Sequence, residues 1–205
     1  MKVILLNGSP KSKGCTYTAL KVIENELINE GIEVEFYEVG NKPVIGCIGC
    51  NACRKLGKCV HDDLVNEVSK EMESADGFIV GSPVHYAAAS GAATSFLDRL
   101  FYSTDKNHLR HMFGASIVSC RRGGASAAFD QLNKYFTINE MPIVSSVYWN
   151  QIHGNTPEEV VQDLEGVRTM KVLARNMAYL IKCKEAAKNV PLPELVPVER
   201  TNFIR

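Results

Sequence analysis

The chain has no surplus of charge in either direction. Lysine and arginine total 23, aspartate and glutamate total 23, and five histidines complete the titratable set. Without a basic excess there is no general field with which to hold a nucleic acid or an anionic membrane surface, so neither partner is expected. Long apolar runs are missing as well, and no stretch approaches the roughly 20 residues of a membrane span. The opening run Met1-Lys-Val-Ile-Leu-Leu-Asn7 is too short for the apolar core of a secretory signal and passes into a glycine-containing polar stretch. A cytoplasmic location is therefore expected. Seven cysteines, an odd number, make no disulfide framework, and a chain of 205 residues buries about 70% of its unfolded surface without staples.

What is present is an alternation of short apolar runs with amphipathic ones. Lys2 to Asn7 is apolar on nearly every side chain and too short for a helix, the mark of a buried parallel strand. From Thr16, Leu20, Ile23, Leu27 and Ile28 recur every three or four residues, which predicts a helix stopped by Gly31. Ile32 to Val39, Gly77 to Gly81, Gly114 to Cys120 and Ile143 to Tyr148 read as four further strands, the third strand closed by the Ser82-Pro83 step. Helices are expected from Asp62 or Asp63, over Ser90 to Phe101, over Ala125 to Phe136, and from Thr156-Pro157 to about Lys188 with a break around Gly166. This pattern predicts one α/β domain over 1–188, a doubly wound five-stranded parallel sheet in the order 2-1-3-4-5. Right-handed crossovers put the loops after Asn7, Gly81 and Cys120 on the carboxyl edge, where such sheets bind ligands. Residues 189–205, with prolines at 191, 193 and 197, carry no core pattern and are expected to run extended over the domain or a partner subunit.

The first of those loops, Asn7-Gly-Ser-Pro-Lys-Ser-Lys-Gly-Cys-Thr16, offers hydroxyls at Ser9, Ser12 and Thr16, lysines at 11 and 13, and free N–H groups at a helix start. That is a seat for a phosphate. It is not an ATPase loop, because Gly8 and Gly14 are separated by five residues and Cys15 stands where lysine belongs. The dinucleotide pattern Gly-x-Gly-x-x-Gly is missing too, so a single phosphate fits better than a pyrophosphate.

A second feature lies in the loop 43–61, where Cys47-Ile-Gly-Cys50-Asn-Ala-Cys53 is followed by Cys59. Three thiols at short spacing with a fourth close behind can wrap a cubane iron–sulfur cluster, since each tight turn carries the next Sγ to another corner. Zinc, which prefers two separated pairs, and metal-free thiols are the other readings of these residues. Cys15, Cys120 and Cys183 read as buried or loop thiols. Asp98 and Arg99 end an apolar helix face of Phe96, Leu97 and Leu100 and read as a structural ion pair rather than catalytic groups.

Leu6 to Thr16, Gly81-Ser-Pro-Val-His-Tyr86, Ser90-Gly91 and Ser95-Phe-Leu-Asp-Arg99 together resemble the motifs of the NAD(P)H-dependent FMN reductase branch of the flavodoxin-like superfamily. The run Cys47 to Cys59 with Val60-His-Asp-Asp-Leu64 resembles the iron–sulfur flavoprotein subgroup. The likeness spans about residues 1 to 150. It implies a flavodoxin-like fold with FMN as cofactor, its phosphate on Ser9, Lys11, Cys15 and Thr16, with Ser12 beside them. Cys15 replaces the family's usual Asn or Ser, so its contact would pass to the backbone N–H. Pro83, Val84, His85 and Tyr86 would flank the isoalloxazine and ribityl chain. Ser119, Arg121, Gly123 and Gly124 would meet the pyrimidine edge, where reduction builds negative charge and where a Cβ would hold the backbone off the ring. The subgroup likeness implies a [4Fe–4S] cluster on Cys47, Cys50, Cys53 and Cys59.

The expected activity is transfer of electrons from NAD(P)H to a quinone, a flavin or another small acceptor, with no side chain singled out as catalytic. The alternative is a non-catalytic flavodoxin-like carrier, or one fed by ferredoxin. A homodimer or higher homo-oligomer is expected, with Trp149 near the seam and the cysteine loop directed toward the partner's flavin.

Overall fold

The computed structural model describes residues 1–197, 199, 201 and 203. Strand β1 (Lys2–Asn7) buries Val3, Ile4, Leu5 and Leu6 completely, since successive side chains point to opposite faces and helices cover both. It pairs in parallel with β2 (Glu33–Glu38) and with β3 (Gly77–His85). Beyond β3 come β5 (Phe113–Cys120) and β6 (Gln151–His153), while β4 (Ala88–Ala89) makes a short antiparallel hairpin on β3. The order β2-β1-β3-β5-β6 is the expected doubly wound order once the hairpin is set aside.

Helices α1 (Cys15–Asn29) and α8 (Leu164–Ala186) cover one face, burying Leu20, Ile23 and Leu27 against Met170, Leu173 and Met177. Helices α3 (Leu64–Glu71), α4 (Gly91–Ser103) and α6 (Ala125–Thr137) cover the other through Val65, Phe96, Leu97, Leu132 and Phe136. Three single turns, α2 (Cys53–Leu56), α5 (Lys106–Leu109) and α7 (Pro157–Val160), lie in the connections.

Three boundaries differ from the sequence expectation. Strand β3 runs past Ser82-Pro83 and pairs Pro83 with Ser119 of β5. Gly81 O accepts from Gly8 N, so residue 83, with the same parity, turns its missing N–H toward the β1 side, where β1 has already ended at Asn7. The ladder loses nothing.

The fifth strand is not Ile143 to Tyr148. Ile143 makes an isolated parallel bridge to Gly114, the chain then leaves the edge, and pairing resumes at β6. Asn150 makes the splice: its O accepts from Val118 N at 2.9 Å and its Nδ2 donates to Ser116 O at 3.0 Å, replacing bonds a continuous strand would give. The long final helix is broken three residues ahead of Gly166, where Asp163 caps α8 by accepting from Gly166 N at 2.9 Å. Residues 189–197 are irregular, and Pro193 O accepts from Arg110 at 2.9 Å. The rest of the expected tail at 198, 200, 202, 204 and 205 lies outside the described residues.

Candidate functional site

The carboxyl ends of β1, β3 and β5 converge at the point where the sheet's winding reverses between β1 and β3, the position at which open α/β sheets bind ligands. Their loops are bonded to one another. Gly8 N donates to Gly81 O at 2.8 Å, and Ser90 Oγ donates to Gly8 O at 2.7 Å, joining the first loop to the second and to the start of α4. Gly8 has to be glycine, because a Cβ there would stand 2.6 Å from Ala93 Cβ and 2.9 Å from Gly81 O. Thr16 Oγ1 and Ser119 Oγ share a hydrogen bond of 2.8 Å, and Cys15 Sγ contacts Gly154 O at 3.6 Å, tying the first loop to the end of β5 and beyond.

A cavity of about 180 Å³ opens among these loops, lined by Ser9, Lys11, Cys15, Thr16, Pro83, Val84, His85, Ser119 and Arg121 of the expected set. Pro10, Cys120, Gly154 and Asn155 complete it. Helix α1 has no side chain capping its first turn, so the N–H groups that start it remain available to an anion. The Ser9 side chain is already used within the loop, accepting from Lys11 N at 3.1 Å. Burial pushes the thiols of Cys15 and Cys120 up, so both stay protonated at neutral pH. The cavity is smaller than the roughly 300 Å³ that encloses a whole ligand of this size. Its size and the free N–H groups of the helix start suit a single phosphate group.

Four expected residues stand apart from that cavity. Ser12 is exposed on the outer side of the first loop, and Gly123 faces open space. Tyr86 is fully exposed at the tip of the β3–β4 hairpin, where Tyr86 and Ala87 both take positive φ, 52° and 59°, in a two-residue turn of the I′ kind. Gly124, at φ 89°, answers to this hairpin: a Cβ on it would lie 2.8 Å from Ala87 Cα and 3.1 Å from Val84 Cγ1. The hairpin's own atoms are thus enough to require glycine at this position.

The cysteine loop leaves β2 and runs along the outside of α4. Among the described residues, Val44 and Cys59 are its only members packed against the apolar core. Polar side chains hold the rest. Arg99, buried in the second half of α4, spends its five guanidinium N–H groups on the loop: Nε to Cys59 Sγ at 3.3 Å, Nη1 to Ile45 O at 3.4 Å and Asp63 Oδ2 at 2.7 Å, and Nη2 to His61 O at 3.2 Å and Asp63 Oδ1 at 2.8 Å. Burial pulls this guanidinium down, but its bonds to Asp63 and Cys59 outweigh that and leave it above its ordinary value. The ion pair is thus structural, as expected, but its acid is Asp63 and not Asp98, which instead accepts from Tyr135 OH. Asn66 of α3 grips the backbone of Cys59 from both sides, at 2.9 and 3.0 Å, and Tyr102 OH donates to Asn51 Oδ1 at 2.8 Å.

Cys47, Cys50, Cys53 and Cys59 all line one small cavity of about 20 Å³ together with His61, Arg99 and Tyr102. Among the described residues no three His, Cys, Asp or Glu side chains converge closely enough to hold a single metal ion. Four thiols around a shared space match the ligand number of a cubane cluster. The space as it stands is smaller than such a group; Cys47 and Cys50 beside it are exposed, whereas Cys53 and Cys59 are half-buried. Arg99 and Tyr102 lie nine and twelve residues along α4 from its cap Ser90, so they reach the cysteine loop roughly 14–18 Å along the helix from where the first loop is bonded to it. A larger groove of about 830 Å³ continues from Cys53 and Tyr102 toward Tyr135, Lys106 and Ile138, on the side away from the three loops.

Tyr102, Asn51 and Asn66 escape a sequence reading, because each acts on a residue brought near only by the fold. A family model described as NADPH-dependent FMN reductase matches residues 1–156. An iron–sulfur flavoprotein of Methanocaldococcus jannaschii is 33% identical over 189 residues, covering 89% of this chain and 98% of its own. Among solved structures, a flavodoxin from the domain Archaea superposes with a TM-score of 0.61 at 16% identity over 89% of this chain and 99% of its own. A flavoenzyme NAD(P)H:(acceptor) oxidoreductase from Paracoccus denitrificans does so with a TM-score of 0.64 at 15% identity over 89% and 97%. At those identities the two structures establish the flavodoxin-like fold.

Proposed function

The chain belongs to the NADPH-dependent FMN reductase family, beside the iron–sulfur flavoproteins, and from that premise we propose an FMN-dependent oxidoreductase that moves electrons from NAD(P)H to a quinone, a flavin or another small acceptor. The observation that carries this reading is the interlocked set of three loops around one anion-ready cavity at the reversal of the sheet. FMN, when bound, supplies a two-electron acceptor for the nicotinamide and a donor for the second substrate.

The chain's own part is placement. The first-turn N–H groups of α1, with the exposed Lys11 beside them, take the phosphate. Cys15 contributes its backbone N–H, since its thiol is turned to Gly154. Pro83, Val84 and His85 wall the ribityl side, and Ser119 and Arg121 stand at the pyrimidine edge, where Arg121 opposes developing negative charge. Thr16 and Ser119 act through each other, holding the first and third loops at fixed spacing. No side chain here is assigned a proton or a bond to make, which suits chemistry that belongs to the cofactor.

The cysteine loop extends the reading. The four thiols would hold a [4Fe–4S] cluster, which supplies a one-electron station beside the two-electron flavin. Ile45, Ile48, Leu56 and Val60 are exposed around this loop and Tyr148 and Trp149 near β6, apolar surface that a second copy of the chain would cover. A homodimer that brings the cysteine loop of one chain to the flavin edge of the other follows, and sedimentation as a monomer at micromolar concentration would count against it. Ferredoxin is the second candidate donor, favoured by the four-thiol cage. Steady oxidation of NADH or NADPH by the FMN-loaded chain with a quinone present supports the reductase. Inertness toward both nicotinamides, with rapid reduction by ferredoxin, would replace it with the ferredoxin-coupled carrier.

A further inference from the structure

We propose that His61 is a hydrogen-bond donor to the sulfur group held by the four thiols and, with Arg99 on Cys59, sets that group's reduction potential; this rests on the cluster reading of the cysteine loop. His61 Nε2 is shut off from solvent and has no partner in the protein. Leaving a buried donor unmade costs about 1–3 kcal/mol, so buried polar atoms of this kind are as a rule paired. His61 lines the same small space as Cys47, Cys50, Cys53 and Cys59, so sulfur held there is the acceptor within its neighbourhood.

The backbone that carries the ring is held in place. His61 O accepts from Arg99 Nη2 at 3.2 Å and from Asn66 Nδ2 at 3.1 Å, so the two side chains that fix Cys59 also fix His61 two residues later. The other strong donors at the cavity are spent: the guanidinium of Arg99 on five acceptors, one of them Cys59 Sγ, and the hydroxyl of Tyr102 on Asn51. His61, in the tautomer with its proton on Nε2, completes the set. An N–H directed at a cluster or thiolate sulfur stabilises the more negative, reduced state and raises the reduction potential, as second-shell partners of metal ligands do generally.

The test uses the full chain reconstituted anaerobically with iron and sulfide, read first by iron and acid-labile sulfide per chain and then by a potentiometric titration followed by visible absorbance and electron paramagnetic resonance. His61→Phe keeps the ring's bulk and removes the donor, whereas His61→Gln keeps an N–H. With wild-type iron content in both, the Phe variant is expected to show a reduced-to-oxidised ratio about tenfold lower at a fixed solution potential, and the Gln variant to recover most of it. A Phe variant that titrates with wild type overturns the proposal, and so does a Gln variant that titrates with the Phe one. Should the Phe variant lose iron, His61→Leu is read in the same way. A wild-type chain that takes up no iron overturns the cluster reading itself, and the first measurement separates that failure from the failure of the His61 assignment.

Discussion

At the flavin edge three loops are joined by backbone bonds and short buried side chains, with Gly8 on Gly81, Ser90 on Gly8 and Thr16 on Ser119, all seated on strands whose core residues are wholly buried. In the cysteine loop almost nothing reaches the core, and three long polar side chains reach across to hold it, Arg99 and Asn66 on its backbone and Tyr102 on the side chain of Asn51. The first region is a consequence of topology. The second depends on single residues, and therefore one substitution can dismantle it while the other region stands.

Arg99→Ala breaks that comparison hardest. It removes all five loop bonds and leaves the space of the guanidinium empty beside Asp63, whose half-exposed carboxylate keeps the cost near the low end for a broken buried pair, about 3 kcal/mol in urea unfolding. Iron retention is expected to be lost, with FMN affinity changed less than about threefold. Gly124→Ala attacks the other region: a Cβ 2.8 Å from Ala87 Cα and a φ of 89° predict about 2 kcal/mol of destabilisation and roughly tenfold weaker FMN binding in a fluorescence titration, with iron content unchanged. Asn66→Ala frees the backbone of Cys59 and one bond to His61 O, for about 1 to 2 kcal/mol and a partial loss of iron.

The smallest effect is that of acid. Burial pushes the Asp63 carboxyl up, but the Arg99 hydrogen bonds, the Val65 N–H and the guanidinium charge outweigh it and leave the group below its ordinary value. A carboxyl depressed in the folded state contributes fully above its unfolded value, about pH 4, and the contribution disappears as pH falls through the folded one. With Asp63 half-exposed the sum is under about 1 kcal/mol. Thiol labelling of Cys59 is expected to accelerate below pH 4 once normalised to the rate of a free thiol, while labelling of Cys15 at the flavin edge keeps its normalised rate.

Much of the candidate site at the carboxyl edge was legible in the chain because its signals are local. A wholly apolar run such as Val3 to Leu6 has no place but the middle of a covered sheet, and hydroxyls, lysines and glycines within ten residues describe an anion loop. The edge strand was not legible. Ile143 to Val147 has the composition of a strand, but the splice that replaces it is made by the side chain of Asn150, which no propensity of the run itself reveals. The acid that pairs with Arg99 was not legible, since it lies 36 residues away in sequence while Asp98 lies beside it. The need for glycine at 124 was legible, but the hairpin folded back onto it was not.

The central claim is that the flavin edge stands by itself and the four thiols add a separable electron station. It is tested most directly by FMN, iron and acid-labile sulfide per chain, measured anaerobically on the wild type and on a variant with Cys47→Ser and Cys50→Ser. The account predicts about one FMN in both and about four iron atoms in the wild type alone. Loss of FMN together with the iron, or a wild type that binds no FMN, would contradict it.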